Sequence, residues 1–292
     1  MDARVITATL GGSWRGGYGT AACPVCQPER RRDQDALTLA DGDGRLLAHC
    51  KRAGCAFADI LAAAGLRSGA SRAPDPGDMA RRRAEQQAEA TKREAQALRL
   101  WRETLPINGT LAETYLRGRG ITCDLPDTLR FHGACWHGPT ARRLPAMVAR
   151  VDGSERFAVH RTWLRPDGSG KAAVTPAKAM LGATAGGAVR LAGGPGALAV
   201  AEGIETALAL ACGLLRGRPA IWAALSTSGM VTLNLPPDPG RLIVATDGDP
   251  AGHEAGHKLA TRAAALGWRV SLLPAPEGKD WADIVAAKGG AA

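Results

Sequence analysis

Two closely spaced pairs of cysteines give the sequence its clearest chemical signal. The first pair is Cys23 and Cys26, and the second pair, 23 residues further along, is Cys50 and Cys55. Two such pairs joined by an intervening ribbon supply the four thiolates that hold a tetrahedral Zn²⁺ ion. The spacing therefore predicts a structural zinc site, with His49 as an alternative ligand to Cys50.

The other three cysteines, Cys123, Cys135 and Cys212, have no comparable partner in the sequence, and each is interpreted as structural. An odd total of seven cysteines argues against a framework of disulfides.

A second group of candidate ligands consists of carboxylates. Glu202 follows one short apolar run, and Asp247 and Asp249 follow another. Asp280 and Asp283 come later, in a third acidic motif. Carboxylate oxygens are the ligands that Mg²⁺ and Mn²⁺ prefer, and such a cation polarises phosphoryl oxygens. We therefore expect a divalent-metal site that handles phosphate esters.

These carboxylates can converge if the surrounding chain forms a parallel sheet. Apolar runs alternate with helical stretches here, which is typical of buried strands covered by helices on both faces. The carboxyl ends of parallel strands share one edge of such a sheet, where open α/β folds bind ligands. The predicted strands are 197–201, 220–224, 242–246 and 269–273, and the predicted helices are 204–215 and 251–266.

The residues before this predicted sheet indicate a linker, a long helix and several short helices and strands. A stretch without Gly or Pro predicts one long polar helix, which we interpret as a spacer or a partner surface. A segment rich in Gly, Ser, Pro and Asp predicts a linker before it. The linker is 67–78 and the long helix 79–105; a hairpin is expected over 36–39 and 45–48, short helices over 57–64 and 110–118, and strands over 146–151 and 157–165.

Charge is unevenly distributed along the chain. The formal net charge is +9, and residues 105–190 carry 12 basic and 6 acidic side chains, a local balance of +6. Such a balance favours a polyanionic partner. No stretch approaches the roughly eighteen apolar residues of a membrane span, and the N-terminus lacks the pattern of an export signal. We therefore expect a cytoplasmic protein with no membrane partner.

Taken together, three acidic motifs resemble the Toprim domain, which bacterial-type primases, topoisomerases and some nucleases share. The basic half resembles the basic N-terminal half of a primase catalytic core, and the cysteine module is similar to the zinc-binding domains of phage and mobile-element primases. The Toprim-like motifs are AEGIET (201–206), DGDPAG (247–252) and GKDWAD (278–283); the primase-like segments are AETYLRGRGI (112–121), VHRTW (159–163), PAKAMLG (176–182), AIWAALSTSGM (220–230) and AHCKRAGC (48–55).

The resemblance implies a DNA primase: a nucleotidyltransferase that builds short primers on single-stranded DNA from nucleoside triphosphates, with a helicase or polymerase as partner in trans. Asp247, Asp249 and Asp280 would hold Mg²⁺ or Mn²⁺, and Glu202 would act as a metal ligand or as an acid/base. Cations would bind the nucleotide phosphates or the template backbone. These cations are Arg117, Arg119, Arg161, Lys171 and Lys178.

The expected fold class is α/β, with four parts in order: a zinc-ribbon-like module (1–66), a linker with the long helix (67–104), a basic α+β half (105–190) and a Toprim domain with a parallel, Rossmann-like sheet (191–292). Two other functions use the same residues. One is a Toprim nuclease, which would cut nucleic acid, and the other is a non-catalytic protein that binds or loads single-stranded DNA.

Overall fold

The structure is a computed structural model that describes residues 2–31, 33–42, 46–66 and 76–289. The chain divides into two compact units, Met1–Glu85 and Gln86–Ala292. Most of the predicted linker, residues 67–75, lies outside the described residues, as does the 43–45 part of the predicted hairpin turn.

The first unit is a four-stranded antiparallel sheet flanked by two short helices. Its strands follow the order β1-β2-β3-β4, so neighbours in sequence are neighbours in the sheet. The predicted hairpin is confirmed, with Leu39 opposite Ala48. Leu37 and Leu39 are buried on one face together with Ile6 and Ile60. The bounds are α1 (Ala3–Thr9), β1 (Ser13–Arg15), β2 (Tyr18–Ala21), β3 (Leu37–Asp41), β4 (Leu46–Cys50) and α2 (Phe57–Ala63).

The predicted long helix is present as α3 (Pro76–Arg102), and it ends three residues earlier than expected. The hydroxyl of Thr104 donates to the carbonyl oxygen of Trp101 at 2.6 Å and closes the last turn. Leu105 precedes a proline, a position that disfavours helical backbone. The chain therefore turns into a short strand, β5 (Leu105–Pro106).

The second unit contains two five-stranded sheets. The first sheet has the order β5-β6-β7-β8-β9 and is antiparallel throughout. Ala97 of α3 packs on one of its faces against Val148 and Val159. The remaining bounds of this part are α4 (Leu111–Gly118), β6 (Leu129–His137), β7 (Arg142–Val151), β8 (Ala158–Trp163) and β9 (Lys178–Leu181).

The other sheet has the order β10-β12-β11-β13-β14, and only its edge strand β10 runs antiparallel. This confirms the expected α/β class with a mostly parallel C-terminal sheet. The bounds are β10 (Val189–Ala192), β11 (Leu198–Ala201), α5 (Ile204–Ala209), β12 (Ala220–Ala223), α6 (Thr227–Thr232), β13 (Arg241–Thr246), α7 (Pro250–Ala265), β14 (Arg269–Pro274) and α8 (Trp281–Gly289).

Strand β11 is buried on both faces because helices cover each of them. Ala199 and Ala201 belong to the core that also contains Ile204 of α5. Leu198 and Val200 face the opposite core, which includes Leu259 of α7. This explains why the strand is a continuous apolar run rather than an alternating one.

The two sheets of the second unit share one hydrophobic core. Leu129 and Met147 of the antiparallel sheet are buried in the same cluster as Val189, Ala201 and Ile204 of the parallel sheet. The two sheets of the second unit therefore pack together around one core. Among the described residues, no helix combines the length and apolarity that crossing a membrane requires.

Candidate functional site

The four cysteines of the first unit form a compact cluster. The sulfur atoms of Cys23, Cys26, Cys50 and Cys55 all lie within 4.8 Å of one another, and Cys26 and Cys50 are 3.5 Å apart. Tetrahedral zinc with Zn–S bonds of 2.3 Å sets its sulfurs about 3.8 Å apart. The cluster therefore fits a structural zinc ion, with Cys50 rather than His49 among its members.

Local hydrogen bonds set each cysteine turn. The amide oxygen of the buried Gln27 side chain accepts the N–H groups of Cys23 and Ala36, which ties the first turn to the sheet. Gly54 has a φ of +58°, and its N–H donates to the carbonyl oxygen of Cys50. Glycine adopts this left-handed conformation without a steric cost.

The Cys50 sulfur lies among backbone donors. Burial alone would raise the pKa of its thiol, but the N–H groups of Ala53 and Cys55, then the Cys26 thiol and the N–H of Arg52, lower that pKa to about 6. A thiolate is the form that binds zinc, so hydrogen bonds in the second turn favour the zinc-binding form of Cys50.

Three strand ends bring the predicted carboxylates to one edge of the parallel sheet. Glu202 directly follows β11, Asp247 follows β13, and Asp280 lies between β14 and α8. Burial first, and then the charges of Asp247 and Asp249, raise the pKa of Glu202 above its ordinary value. Burial and the charge of Asp280 likewise raise the pKa of Asp247. The four carboxylates therefore share one electrostatic environment.

Two of these carboxylates already serve as helix caps. Asp249 accepts the N–H of Gly252 at 2.6 Å and begins α7, and Asp280 accepts the N–H of Asp283 at 2.7 Å and begins α8. The Asp247 side chain accepts a long hydrogen bond, 3.4 Å, from the hydroxyl of Thr206. Among the described residues, only the four cysteines bring three or more ligand atoms within 4.8 Å of one another. The carboxylates at this edge are more widely spaced.

Two lysines lie next to this acidic edge, one in the loop between β8 and β9 and one on β9. Lys171 Nζ is 3.0 Å from Oε1 of Glu205, a side chain that is only 7% exposed. Lys178, on β9, opposes by its charge the rise in the pKa of both Glu202 and Asp247. Cationic and anionic side chains thus face one another where the two sheets meet.

Glu205 is the buried centre of this cluster. The hydroxyl of Tyr115 donates to Glu205 Oε1 at 2.6 Å, the same oxygen that Lys171 contacts. Burial favours the neutral acid, but the charges of Lys178 and Lys171 and the Tyr115 hydrogen bond outweigh it and lower the pKa of Glu205 well below its ordinary range. Glu205 is therefore an ionised carboxylate inside the protein. Sequence reasoning included it in a motif without giving it a role.

His160 is a second buried polar group near these lysines. It is 5% exposed, and within the described part of the chain its Nδ1 has no hydrogen-bond partner. Burial, with the charges of Lys178 and Arg161, lowers its pKa to about 4, so its imidazole is neutral at pH 7.

Two of the three predicted arginines, Arg161 and Arg117, lie away from these lysines. Arg161 alternates with His160 on β8 and therefore points to the opposite face of the sheet, where its guanidinium is 4.9 Å from the centre of the Trp163 ring. Arg117 donates to the carbonyl oxygens of Ile121 and Cys123. Neither joins the cluster of Lys171 and Lys178.

Arg119 is closer to the acidic edge. It forms ion pairs with Asp280 at 3.6 Å and with Asp283 at 3.1 Å. Arg119 therefore joins the helix α4 region to the third acidic motif.

The second unit thus has an α/β sheet with strand-end carboxylates, a design that binds ligands at the carboxyl edge. Residues 197–291 match the model of the Toprim domain, and residues 91–191 match that of a domain of unknown function, DUF7146. The chain therefore carries a C-terminal Toprim domain, as its motifs predicted. No curated protein matches the chain.

Three solved structures are similar to parts of the chain. A DNA primase domain from Pseudomonas aeruginosa is 20% identical, with a TM-score of 0.40 over 62% of this chain and 68% of that one. The zinc-binding and RNA polymerase domains of the Aquifex aeolicus primase are 14% identical, with a TM-score of 0.39 over 99% and 80%. The RNA polymerase domain of Mycobacterium tuberculosis primase DnaG is 16% identical, with a TM-score of 0.32 over 63% and 62%.

Proposed function

We propose that this protein is a primase-like nucleotidyltransferase that synthesises short primers on single-stranded DNA from nucleoside triphosphates. One observation carries the proposal: the charge of Lys178 acts on the Toprim carboxylates Glu202 and Asp247, and Lys171 pairs with Glu205 of the same Toprim motif as Glu202. A phosphoryl-transfer site needs positioned cations and metal-binding carboxylates, and this edge of the sheet offers both.

Glu202 and Asp247 are the carboxylates best suited to hold a divalent cation, Mg²⁺ or Mn²⁺. Both have raised pKa values because burial and neighbouring carboxylates disfavour their charges, so a cation would relieve that repulsion. Asp249, which gives one oxygen to a helix cap, would add its second oxygen, and Asp280 would contribute if its oxygen exchanged Arg119 for the cation. When bound, the cation would polarise the phosphoryl oxygens of the triphosphate.

Lys171 and Lys178 would bind the phosphates of the incoming nucleotide. Lys171 is held at 3.0 Å by Glu205, which Tyr115 in turn fixes with its hydroxyl. A lysine positioned in this way loses less conformational entropy when a phosphate binds. Burial and the charge of Lys178 lower the pKa of Lys171, whereas Glu205 keeps it charged.

The tip of the β6–β7 hairpin fits the template strand. Trp136 is 48% exposed, and the guanidinium of Arg143 is 6.0 Å from the centre of its ring. Arg142 is also exposed, and residues 128–151 contain no acidic side chain. Aromatic rings that stack on bases, next to arginines that bind phosphates, are typical of single-strand binding surfaces.

The zinc module would hold the template as well. Lys51 and Arg52 are exposed on the turn between Cys50 and Cys55, and the side chains of Leu47 and Phe57 are exposed nearby on the same unit. Phosphate contacts from the basic pair and apolar contacts with bases would act together.

Primer synthesis tests the proposal directly. The zinc-loaded protein is incubated with single-stranded DNA, all four NTPs with one labelled, and Mg²⁺ or Mn²⁺. We expect labelled oligonucleotides, which Asp247→Ala reduces at least about a hundredfold. The matched control is Asp238→Ala, an exposed aspartate before β13, at the opposite edge of the same sheet. Its product yield should equal that of the wild type.

The two other functions give different results in the same assay. Shortening of an end-labelled template without synthesis would identify a nuclease. Salt-sensitive DNA binding with neither synthesis nor cleavage, in the presence of both cations, would identify a binding protein. Either result would overturn the proposal.

A further inference from the structure

Two cysteines outside the zinc cluster contact each other although 89 positions separate them in the sequence. The sulfur atoms of Cys123 and Cys212 are 2.8 Å apart. The sequence predicted no partner for either residue. A disulfide bond measures about 2.05 Å, so a movement of under about 1 Å would join these sulfurs.

The backbone places this pair in two irregular segments. Cys123 lies in the connection between α4 and β6, and Cys212 lies in the irregular turn after α5, where its own backbone (φ −74°, ψ 24°) departs from helical geometry. Gly213, immediately after it, has a φ of +101° and ends the helical path. Both cysteines are half-buried, so a small oxidant can reach them.

The two thiols differ in their surroundings. The N–H of Cys123 donates to the sulfur of Cys212 at 3.4 Å, and the Cys212 thiol donates to the sulfur of Cys123. Burial and the neighbouring sulfur raise the pKa of Cys123 to about 12. Its thiol lies 3.8 Å from the carbonyl oxygen of Leu208. Because burial and the contact with the Leu208 carbonyl oxygen disfavour a thiolate on Cys123, we take Cys212 as the thiol that reacts first and Cys123 as the one that follows.

We propose that Cys123 and Cys212 form a reversible disulfide when the protein meets a peroxide. The Cys212 thiolate attacks one peroxide oxygen; the S–O bond forms, the O–O bond breaks, and the leaving hydroxide takes the thiol proton as water. Cys123 then attacks the sulfenic sulfur, and the S–O bond breaks with release of a second water. Overall, two thiols and one hydrogen peroxide give one disulfide and two waters.

The disulfide would join the two halves of the second unit. Cys212 follows α5, whose first turn carries Glu205, and Cys123 follows α4, which carries Tyr115. The covalent bond would therefore connect the two elements that the Tyr115–Glu205 hydrogen bond already connects. The modification is independent of primer synthesis and holds for any function of the site.

Peptide mapping of the zinc-loaded protein after treatment with hydrogen peroxide tests the proposal. After alkylation in denaturant, we expect Cys123 and Cys212 in one cross-linked peptide and the other five cysteines alkylated. The melting temperature of the second unit should rise by about 5 °C or more and return to its original value with dithiothreitol.

Three variants make the test specific. Cys212→Ser should abolish the cross-link, and the matched control Cys135→Ser, which removes the remaining thiol outside the zinc cluster, should leave it intact. Cys123→Ser should accumulate a sulfenic acid on Cys212 that dimedone traps. The proposal would be overturned if both Cys123 and Cys212 remained reduced thiols at a peroxide dose that already releases zinc. It would also be overturned if each sulfur were oxidised separately without a cross-link.

Discussion

The hydroxyl of Tyr115 lies 2.6 Å from Oε1 of Glu205, and this hydrogen bond is buried although 90 positions separate the two residues in the sequence. Tyr115 comes from α4 of the basic half, and Glu205 from the first turn of α5 in the Toprim domain. The same oxygen lies 3.0 Å from Lys171 Nζ. One carboxylate thus fixes a lysine of the candidate phosphate site and joins two parts of the chain.

Removing the hydroxyl tests how much this contact stabilises the fold. Tyr115→Phe deletes the donor and leaves an ionised buried carboxylate with one partner fewer, so we expect a loss of about 1.5–3 kcal/mol in the free energy of unfolding. Urea denaturation measures it. The matched control is Tyr18→Phe, because Tyr18 is 46% exposed. Equal stability of Tyr115→Phe and wild type would show that Lys171 alone satisfies Glu205.

The charge of Glu205 predicts a dependence on pH. Its folded pKa lies below the unfolded value, so the unfolded chain binds the proton first as the pH falls. The stability that the ionised carboxylate contributes is complete above about pH 5 and is lost progressively below it. Glu205→Gln should therefore cost about 2–4 kcal/mol at pH 7 and clearly less at pH 3.5.

Unfolding measured at both pH values gives this difference, with Glu254→Gln as the control. Glu254 pairs with Lys258 on the exposed side of α7, and its removal should change stability little at either pH. A cost for Glu205→Gln that is the same at both pH values would mean that its packing rather than its charge matters.

The strands and helices around the acidic edge could be predicted because their apolar pattern has a strong physical cause. β11 and β13 are buried between helices on both faces, so their sequences are continuous apolar runs that end where the carboxylates begin. In β8, by contrast, the apolar pattern did not indicate which side chains share a face of the sheet. Five of its six residues are buried, so alternation did not reveal that Arg161 points away from His160 and Lys178.

The contacts that complete the site depend on tertiary packing and leave little trace in the sequence. The sequence placed Glu205 in the AEGIET motif without indicating a partner, although it is buried against Lys171 from a loop 34 positions earlier. A charged residue between Ile204 and Ala207, both fully or almost fully buried, was the available signal. No signal in the sequence indicated the contact between Cys123 and Cys212, because the fold alone brings together two residues 89 positions apart.

The raised pKa of Asp247 predicts that this residue destabilises the metal-free protein. The folded state holds the proton more tightly than the unfolded chain, so ionised Asp247 costs stability above the ordinary aspartate range. Asp247→Asn should raise the melting temperature without divalent cations at pH 7 by about 1–4 °C, a gain that disappears as the pH falls below about 4. Thermal melts with EDTA measure it.

Added Mg²⁺ provides the complementary measurement. The wild type should gain thermal stability with Mg²⁺ or Mn²⁺, and Asp247→Asn should gain less, because one carboxylate ligand is missing. Asp238→Asn, at the opposite edge of the sheet, should behave like the wild type. An identical response of all three proteins to the cations would place the metal away from Asp247.

The hairpin tip predicts a loss of DNA affinity when its arginines are removed. Arg142→Ala/Arg143→Ala should weaken binding of single-stranded DNA several-fold and reduce the slope of log K against log salt by up to about 1.4, because each phosphate contact contributes about 0.7. Fluorescence titration at several salt concentrations measures both. Arg269→Ala, an exposed arginine at the start of β14, is the control. An unchanged slope would exclude this tip as a phosphate-binding surface.

The zinc cluster predicts that the first unit unfolds when zinc is lost, while the second unit stays folded. The cores of the two units are separate, and the first is small, so its stability should depend on the four sulfur–metal bonds. Cys23→Ser removes one ligand and should lower zinc affinity at least about a hundredfold. Hydrogen exchange should then show the loss of protection in β2–β4, while the sheets of the second unit remain protected. Cys135→Ser, which removes a buried thiol of the second unit, should keep its zinc. If the first unit stayed protected after zinc loss, its hydrophobic core around Leu37 and Leu39 would suffice for folding, and the cysteines would serve another purpose.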